Sequence, residues 1–348
     1  MRRFGKGFIV TTALVASLLA SGQQASAVVT WEFSEESVAL GISAVSPHVE
    51  RTGSVDRIWY PAIPNTLVSD CTDAGACTLV SGVGRLGSDF TAITLPNGTR
   101  RAYFVSINPN NGTKGVYTAA CTTTACLDVG ASSLTSSGLS VSQSAMAWGV
   151  PDSVVTPDGQ VRIYVVESPV DGQCTEKIAS YISADGVTFT KEAGWRFEGG
   201  YVDTKVLRVK SGDWVMITSN GPGCGNMMQQ LFVTTSTDGL SWSTPQVVTQ
   251  NDKRRLDPTG YEVSPNVFRI YYSFNAVAIG DNYTLKRGTL KIASAATAPG
   301  TVATTTTTTT AKIGALCTKA GAKSTVTVAK KKVNVTCKKV KTKLVWSK

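Results

Sequence analysis

The chain repeats itself, and the repeat limits what it can fold into more than any other feature. Four stretches share one order of aspartate, strand, turn and returning strand. Asp89 opens DFTAITLPNGTRRAYFVS, Asp152 opens DSVVTPDGQVRIYVVES, Asp203 opens DTKVLRVKSGDWVMITS and Asp257 opens DPTGYEVSPNVFRIYYS. Pro-Asn-Gly, Pro-Asp-Gly and Lys-Ser-Gly are turn sequences, and the flanking Val, Ile, Tyr, Phe and Trp residues suit strands. A second hairpin follows in two units, around 177–192 and 231–246. The aspartates are 63, 51 and 54 residues apart, and an earlier unit around SVDRIWYPAI precedes Asp89. Five units of four strands match the size of a β-propeller blade. The chain is therefore expected to be all-β, a five-bladed β-propeller with a small β-rich, disulfide-closed C-terminal module. The last unit is short of an outer strand, so residues near 28–45 are expected to complete it and remove an open edge. A β-sandwich is the alternative arrangement.

The second hairpins carry Ser183-Ala-Asp-Gly-Val-Thr-Phe189 and Ser236-Thr-Asp-Gly-Leu-Ser-Trp242. Both fit the Asp-box pattern, Ser/Thr-x-Asp-Gly-x-x-aromatic. Asp185 and Asp238 are expected to accept backbone N–H groups across the turn. Gly186 and Gly239 then take the left-handed position, with Phe189 and Trp242 packing beneath. That role is structural, not catalytic.

The N-terminus reads as an export signal over residues 1–27: Arg2, Arg3 and Lys6, an apolar stretch to about Ala20, then Ala25-Ser26-Ala27. Export favours disulfides over metal sites for the eight cysteines. Their order suggests Cys71–Cys77, Cys121–Cys126, Cys174–Cys224 and Cys317–Cys337. The first two pairs fall where earlier units should turn, so a disulfide clip is expected to replace the Asp box there. With a single histidine, His48, and no Cys-x-x-Cys, no metal and no cofactor is expected. No Gly-rich phosphate loop or Ser/His/Asp set is visible.

The net charge of +10 is misleading. Three basic residues lie in the leader and eleven lysines, without an acid, in residues 312–348. The remainder carries −4, which removes charge as a reason to expect nucleic acid as a partner. A propeller over 28–296, a threonine-rich linker over 297–311 and the basic module over 312–348 are the expected divisions. A monomer outside the cytoplasm is expected, meeting the membrane only during export. Its partner would be a carbohydrate or a cell-envelope polymer to which the basic module tethers it.

Over roughly residues 45–296 the sequence resembles two related groups. The Asp boxes are similar to those of sialidases and other bacterial propellers. The five units and inner-strand aspartates resemble the five-bladed glycoside hydrolases of family 43. The tail resembles a Lys-rich two-cysteine module on exported actinobacterial proteins. The family 43 resemblance implies a base at Asp89, a pKa-tuning acid at Asp152 and a general acid at Asp203, where the family has Glu. Trp148, Tyr201, Asp257 and Glu198 are candidate ligand-binding residues, with Glu167 and His48 weaker ones. Clustered carboxylates repel, so at least one pKa should rise. The competing reading is that each aspartate caps the backbone at the start of its strand.

Overall fold

The computed structural model describes residues 29–62, 65–83, 87–107, 114–134, 149–167, 174–222, 224, 228–277, 282–293, 323–328, 331–340 and 343–347. Trp148, the leader, the linker and Cys317 lie outside them. Among the described residues there are strands and no helix. The chain divides into two units between Ser294 and Ala295.

The first unit is a five-bladed propeller. Strand β1 (Trp31–Glu35) comes first. Blade 1 follows, with β2 (His48–Thr52), β3 (Val55–Ala62), β4 (Asn65–Cys71) and β5 (Cys77–Val83). Blade 2 has β6 (Ser88–Thr94), β7 (Arg100–Ile107), β8 (Lys114–Ala120) and β9 (Ser133–Leu134). Blade 3 has β10 (Gly149–Val155), β11 (Val161–Glu167), β12 (Lys177–Ser183) and β13 (Thr190–Lys191). Blade 4 has β14 (Tyr201–Arg208), β15 (Trp214–Asn220), β16 (Leu231–Ser236) and β17 (Gln246–Val247). Blade 5 has only three strands of its own, β18 (Arg254–Ser264), β19 (Val267–Asn275) and β20 (Thr284–Ile292), and β1 pairs antiparallel with β20 as its fourth. The expected exchange of an N-terminal strand therefore closes the ring.

Apolar side chains pack between blades, with at least one cluster at each seam. Tyr103, Val116, Ile163 and Phe189 fill the seam between blades 2 and 3. Trp31, Ile217, Phe268 and Leu290 fill the one between blades 4 and 5. Three seams also share a polar latch. At one register position the second strand carries Trp59, Tyr103 or Tyr164, which donates to a carbonyl in the next blade's outer turn: Trp59 Nε1 to Cys126 O at 3.1 Å, Tyr103 Oη to Gly186 O at 2.8 Å, Tyr164 Oη to Gly239 O at 2.7 Å. Gly239 is needed there twice over. Its φ is +72°, and a Cβ would sit 2.8 Å from Tyr164 Oη.

The outer turns explain the cysteines. At 183–189, Asp185 Oδ1 accepts the Val187 and Thr188 N–H groups, both at 2.8 Å, and those bonds hold its carboxyl below the usual range. Asp238 does the same for Leu240 and Ser241, at 2.7 and 2.8 Å, and lies at about 2. Phe189 is fully buried below its turn; Trp242 is half-buried. In blades 1 and 2 the equivalent turns are closed by Cys71–Cys77 and Cys121–Cys126. Cys126 has a φ of +48° and its carbonyl takes the latch. Cys174–Cys224 joins the segment between β11 and β12 of blade 3 to the segment between β15 and β16 of blade 4. Cys337 is disulfide-bonded.

The second unit contributes an antiparallel sheet of β21 (Lys323–Val328), β22 (Lys331–Val340) and β23 (Lys343–Ser347).

Candidate functional site

Four of the five inner strands carry a two-residue bulge near their start, at Asp89-Phe90, Val150-Pro151, Asp203-Thr204 and Asp257-Pro258. The first bulge residue is left-handed in each blade, with φ of +55° at Asp89, +30° at Val150, +55° at Asp203 and +50° at Asp257. Ser46, at +49°, fills the same place before β2. Aspartate tolerates this conformation better than most side chains because its short polar group bonds locally. The bulges aim these residues at the propeller axis. There they line a depression of about 30 Å³ with His48, Thr91, Asp152 and Lys205.

Asp152 does not share the slot of the other three. Its pairing with Tyr164 matches Thr91 with Tyr103 and Lys205 with Ile217, so it lies one layer deeper, two residues past the bulge start. Val150 holds the true slot in blade 3. The signal was present in the sequence, since Ser46, Val150 and Asp257 each precede a proline.

The two layers differ in charge. In the deeper one, Asp152 Oδ1 accepts Lys205 Nζ at 2.9 Å and Thr91 Oγ1 at 3.2 Å, while Oδ2 accepts Val206 N–H at 2.7 Å. One carboxylate thus ties blades 2, 3 and 4. His48 is buried, which lowers its pKa, and Nε2 lies 3.2 Å from Glu50 Oε1. The upper layer holds acids without a cation in the ring. Asp203 Oδ2 accepts Ser219 Oγ at 2.7 Å, and Asp257 Oδ2 accepts Ser273 Oγ at 2.9 Å and Ser46 N–H at 2.8 Å. Asp203 is 1% exposed and its Oδ1 has no partner among the described residues. Asp89 keeps partial exposure at the mouth.

Burial raises all three, and repulsion between carboxylates adds to it at Asp89 and Asp203. Asp89 is pushed up to about 6, first by desolvation and then by the Asp257 charge. Asp203 is raised well above its usual range by desolvation and by Asp257 and Asp89. Desolvation raises Asp257. Such an acid holds its proton longer folded than unfolded. Its contribution is most favourable below the unfolded value near 3.8 and declines as pH rises towards 6. Asp89→Asn is therefore expected to raise stability at pH 7 by about 1 to 3 kcal/mol and to flatten the profile between about pH 4 and 6. Urea midpoints at acid and neutral pH check this. A variant that tracks the parent at both overturns it.

Other candidate residues stand away from the depression. Tyr201 packs between Phe197 and Phe232, ring centroids 5.6 and 5.4 Å away, against the core between blades 3 and 4. Glu198 is exposed and paired with Lys177 at 2.6 Å. Glu167 accepts from Tyr181 and pairs with Lys191 at 2.8 Å. Ser46, Thr91 and Lys205 were not singled out in the sequence, because a serine, a threonine and a lysine do not repeat as the aspartates do.

No family model and no curated protein matches the chain. Solved structures do. A thermostable family-43 glycoside hydrolase matches with a TM-score of 0.58 and 15% identity over 75% of this chain and 96% of its own. An endo-arabinase from Bacteroides thetaiotaomicron gives 0.53 and 10% over 75% and 98%. An endo-1,4-beta-xylanase from the same organism gives 0.50 and 10% over 72% and 94%. At such identity the likeness is one of fold.

Proposed function

We propose that this chain is an exported, carbohydrate-active propeller that holds a glycan above the acid ring without cutting it. The observation that carries this reading is the convergence of Asp89, Asp203 and Asp257 on one depression, each with a raised pKa. Such a cluster holds its protons to higher pH than isolated carboxyl groups do. It offers O–H donors next to oxygen acceptors, the complement of a sugar's neighbouring hydroxyls. Asp89 is the member at the mouth. Carbohydrate as the ligand class is supported by the names of the structures sharing this fold, which include a glycoside hydrolase, an arabinase and a xylanase. Export is supported by the leader sequence and by the disulfides.

Hydrolysis is the second reading, favoured by Asp89 lying near 6, where a general acid works well. The geometry weighs against it. Inversion needs two carboxyl groups about 6.5–9.5 Å apart, with a sugar and a water between them. The depression itself is shallow, about 30 Å³ before it opens to solvent. Asp203 and Asp257 each spend an oxygen on neighbouring serines, and Asp152 is neutralised by Lys205.

Calorimetric titration with arabino- and xylo-oligosaccharides, alongside a reducing-sugar assay, tests the proposal. Saturable binding without product is expected, weakened about tenfold or more in Asp89→Ala. Product formation that Asp89→Ala abolishes would replace binding with hydrolysis. Neither binding nor turnover across a glycan panel would overturn the carbohydrate reading.

A further inference from the structure

The two layers at the propeller axis offset their negative charge differently. In the deeper one, Asp152 holds an ammonium group of the chain itself, Lys205 Nζ at 2.9 Å. The layer above has three carboxylates, Asp89, Asp203 and Asp257, and no cation of its own. Every partner there is a hydroxyl or an N–H. Asp203 Oδ2 accepts Ser219 Oγ at 2.7 Å and, at 3.4 Å, the Asp257 N–H. Asp257 Oδ2 accepts the Ser46 N–H at 2.8 Å and Ser273 Oγ at 2.9 Å. Asp89 Oδ2 accepts Ser88 Oγ at 3.3 Å. Asp203 lines the depression and is 1% exposed, yet its Oδ1 accepts nothing among the described residues.

The charged groups near the ring are engaged elsewhere. Lys205 is held by Asp152, and His48 Nε2 lies 3.2 Å from Glu50, which is bound to Arg100 at 2.6 Å. Lys114 of β8 attracts Asp89 but does not line the depression, and burial and the Asp257 charge act on Asp89 more strongly. A buried carboxylate oxygen without a partner is costly, and a proton, a metal ion or a cationic ligand can offset it. Without a ligand the ring uses protons, since burial raises all three acids. No three acids, histidines or cysteines among the described residues are placed to hold a metal ion. An ammonium group demands less, being one compact charge with three rotatable N–H donors. Lys205 shows that the axis accepts such a group one layer down.

We propose that the glycan held at this site is an amino sugar with an unacylated amine, whose ammonium group seats on the ring of Asp89, Asp203 and Asp257. The inference rests on the carbohydrate reading above and narrows it. The ammonium takes the place of a proton held by the ring, so binding releases about one proton. Affinity should therefore rise between pH 5 and 7, as Asp89, near 6, ionises. A neutral sugar has the opposite sign, because covering the acids favours their protonated form.

Calorimetric titration with a glucosamine disaccharide, its N-acetylated form and xylobiose tests the proposal. At pH 7 the unacylated sugar should bind about tenfold or more tightly than the other two, and the gap should close towards pH 5. Asp203→Asn and Asp89→Asn should each weaken its binding about tenfold. Glu198→Gln, which removes the same charge from the exposed flank, should change it less than about twofold. Equal affinity for all three sugars would overturn the inference and leave the carbohydrate reading standing. Binding of none of them would take both down. Spermidine carries ammonium groups without a sugar and should bind about tenfold more weakly than the disaccharide. Equal binding of spermidine would leave a bare cation site and overturn the amino sugar.

Discussion

Removing residues 29–36 is expected to abolish cooperative folding of the propeller. That segment supplies the fourth strand of blade 5, with five residues in register from Trp31 opposite Ile292 to Glu35 opposite Gly288. It also joins the last blades. Trp31 exchanges hydrogen bonds with Gln246 of blade 4, at 3.1 and 2.9 Å, and is 6% exposed in the core between blades 4 and 5. Glu35 pairs with Arg255 at 2.5 Å and Glu36 with Arg287 at 2.6 Å. Both arginines are buried and would lose these partners. Truncating a buried aromatic to alanine costs about 3–5 kcal/mol. Deleting the strand adds the exposed β20 edge and strips buried Arg287 of its carboxylate partner, while Arg255 keeps Asp252 at 2.8 Å. Against a domain stability of about 5–15 kcal/mol, the sum leaves little. Loss of a sharp urea transition is the expected readout for the deletion. Trp31→Ala, which keeps the strand, should lower stability by about 3–5 kcal/mol. A truncated protein that unfolds at the parent's midpoint would show that β1 is ornamental.

The second large effect is expected at Asp56. This carboxylate is fully buried on β3 of blade 1. It accepts from Arg51 at 2.8 Å, from Arg269 at 3.1 Å, from Tyr261 at 2.5 Å and from Tyr271. Arg269, Tyr261 and Tyr271 belong to blade 5, so Asp56 joins the last blade to the first. Burial alone would raise its pKa, but the two tyrosines and two arginines outweigh that and hold it below the ordinary range. An acid with a lowered folded pKa stabilises above its unfolded value near 3.8, and that contribution is lost as pH falls through the folded one. Asp56→Ala strands four donors, and the cost is expected to be about 3–5 kcal/mol at neutral pH. Asp73 contacts both arginines but is exposed, so it offsets little. The gap between variant and parent should narrow in acid. Urea melts at neutral and low pH measure both effects; a variant within about 1 kcal/mol of the parent at neutral pH refutes the assignment.

Blade number, turn positions and the Cys71–Cys77 and Cys121–Cys126 pairings were legible because they depend on residues close in sequence. A Ser-x-Asp-Gly turn or a short cysteine loop is a local device, and four such devices at similar spacing leave few ways to bury one face of each sheet. The closing strand was legible for a related reason, since blade 5 is visibly one strand short and an unpaired edge is costly.

The site was harder to read. Asp152 looked like a fourth copy of Asp89 and Asp203, yet it lies a layer deeper beside Lys205. A bulge offset of two residues keeps the strand's inward face while moving a side chain along the axis, so periodicity alone does not detect it. Nor does sequence distance show that Asp257 and Ser46, 211 positions apart, meet at 2.8 Å. The sequence by itself determined the repeating strands and their turns. Only the closed ring decided which acids face one another, because burial and repulsion at the axis exist only once five blades have converged there.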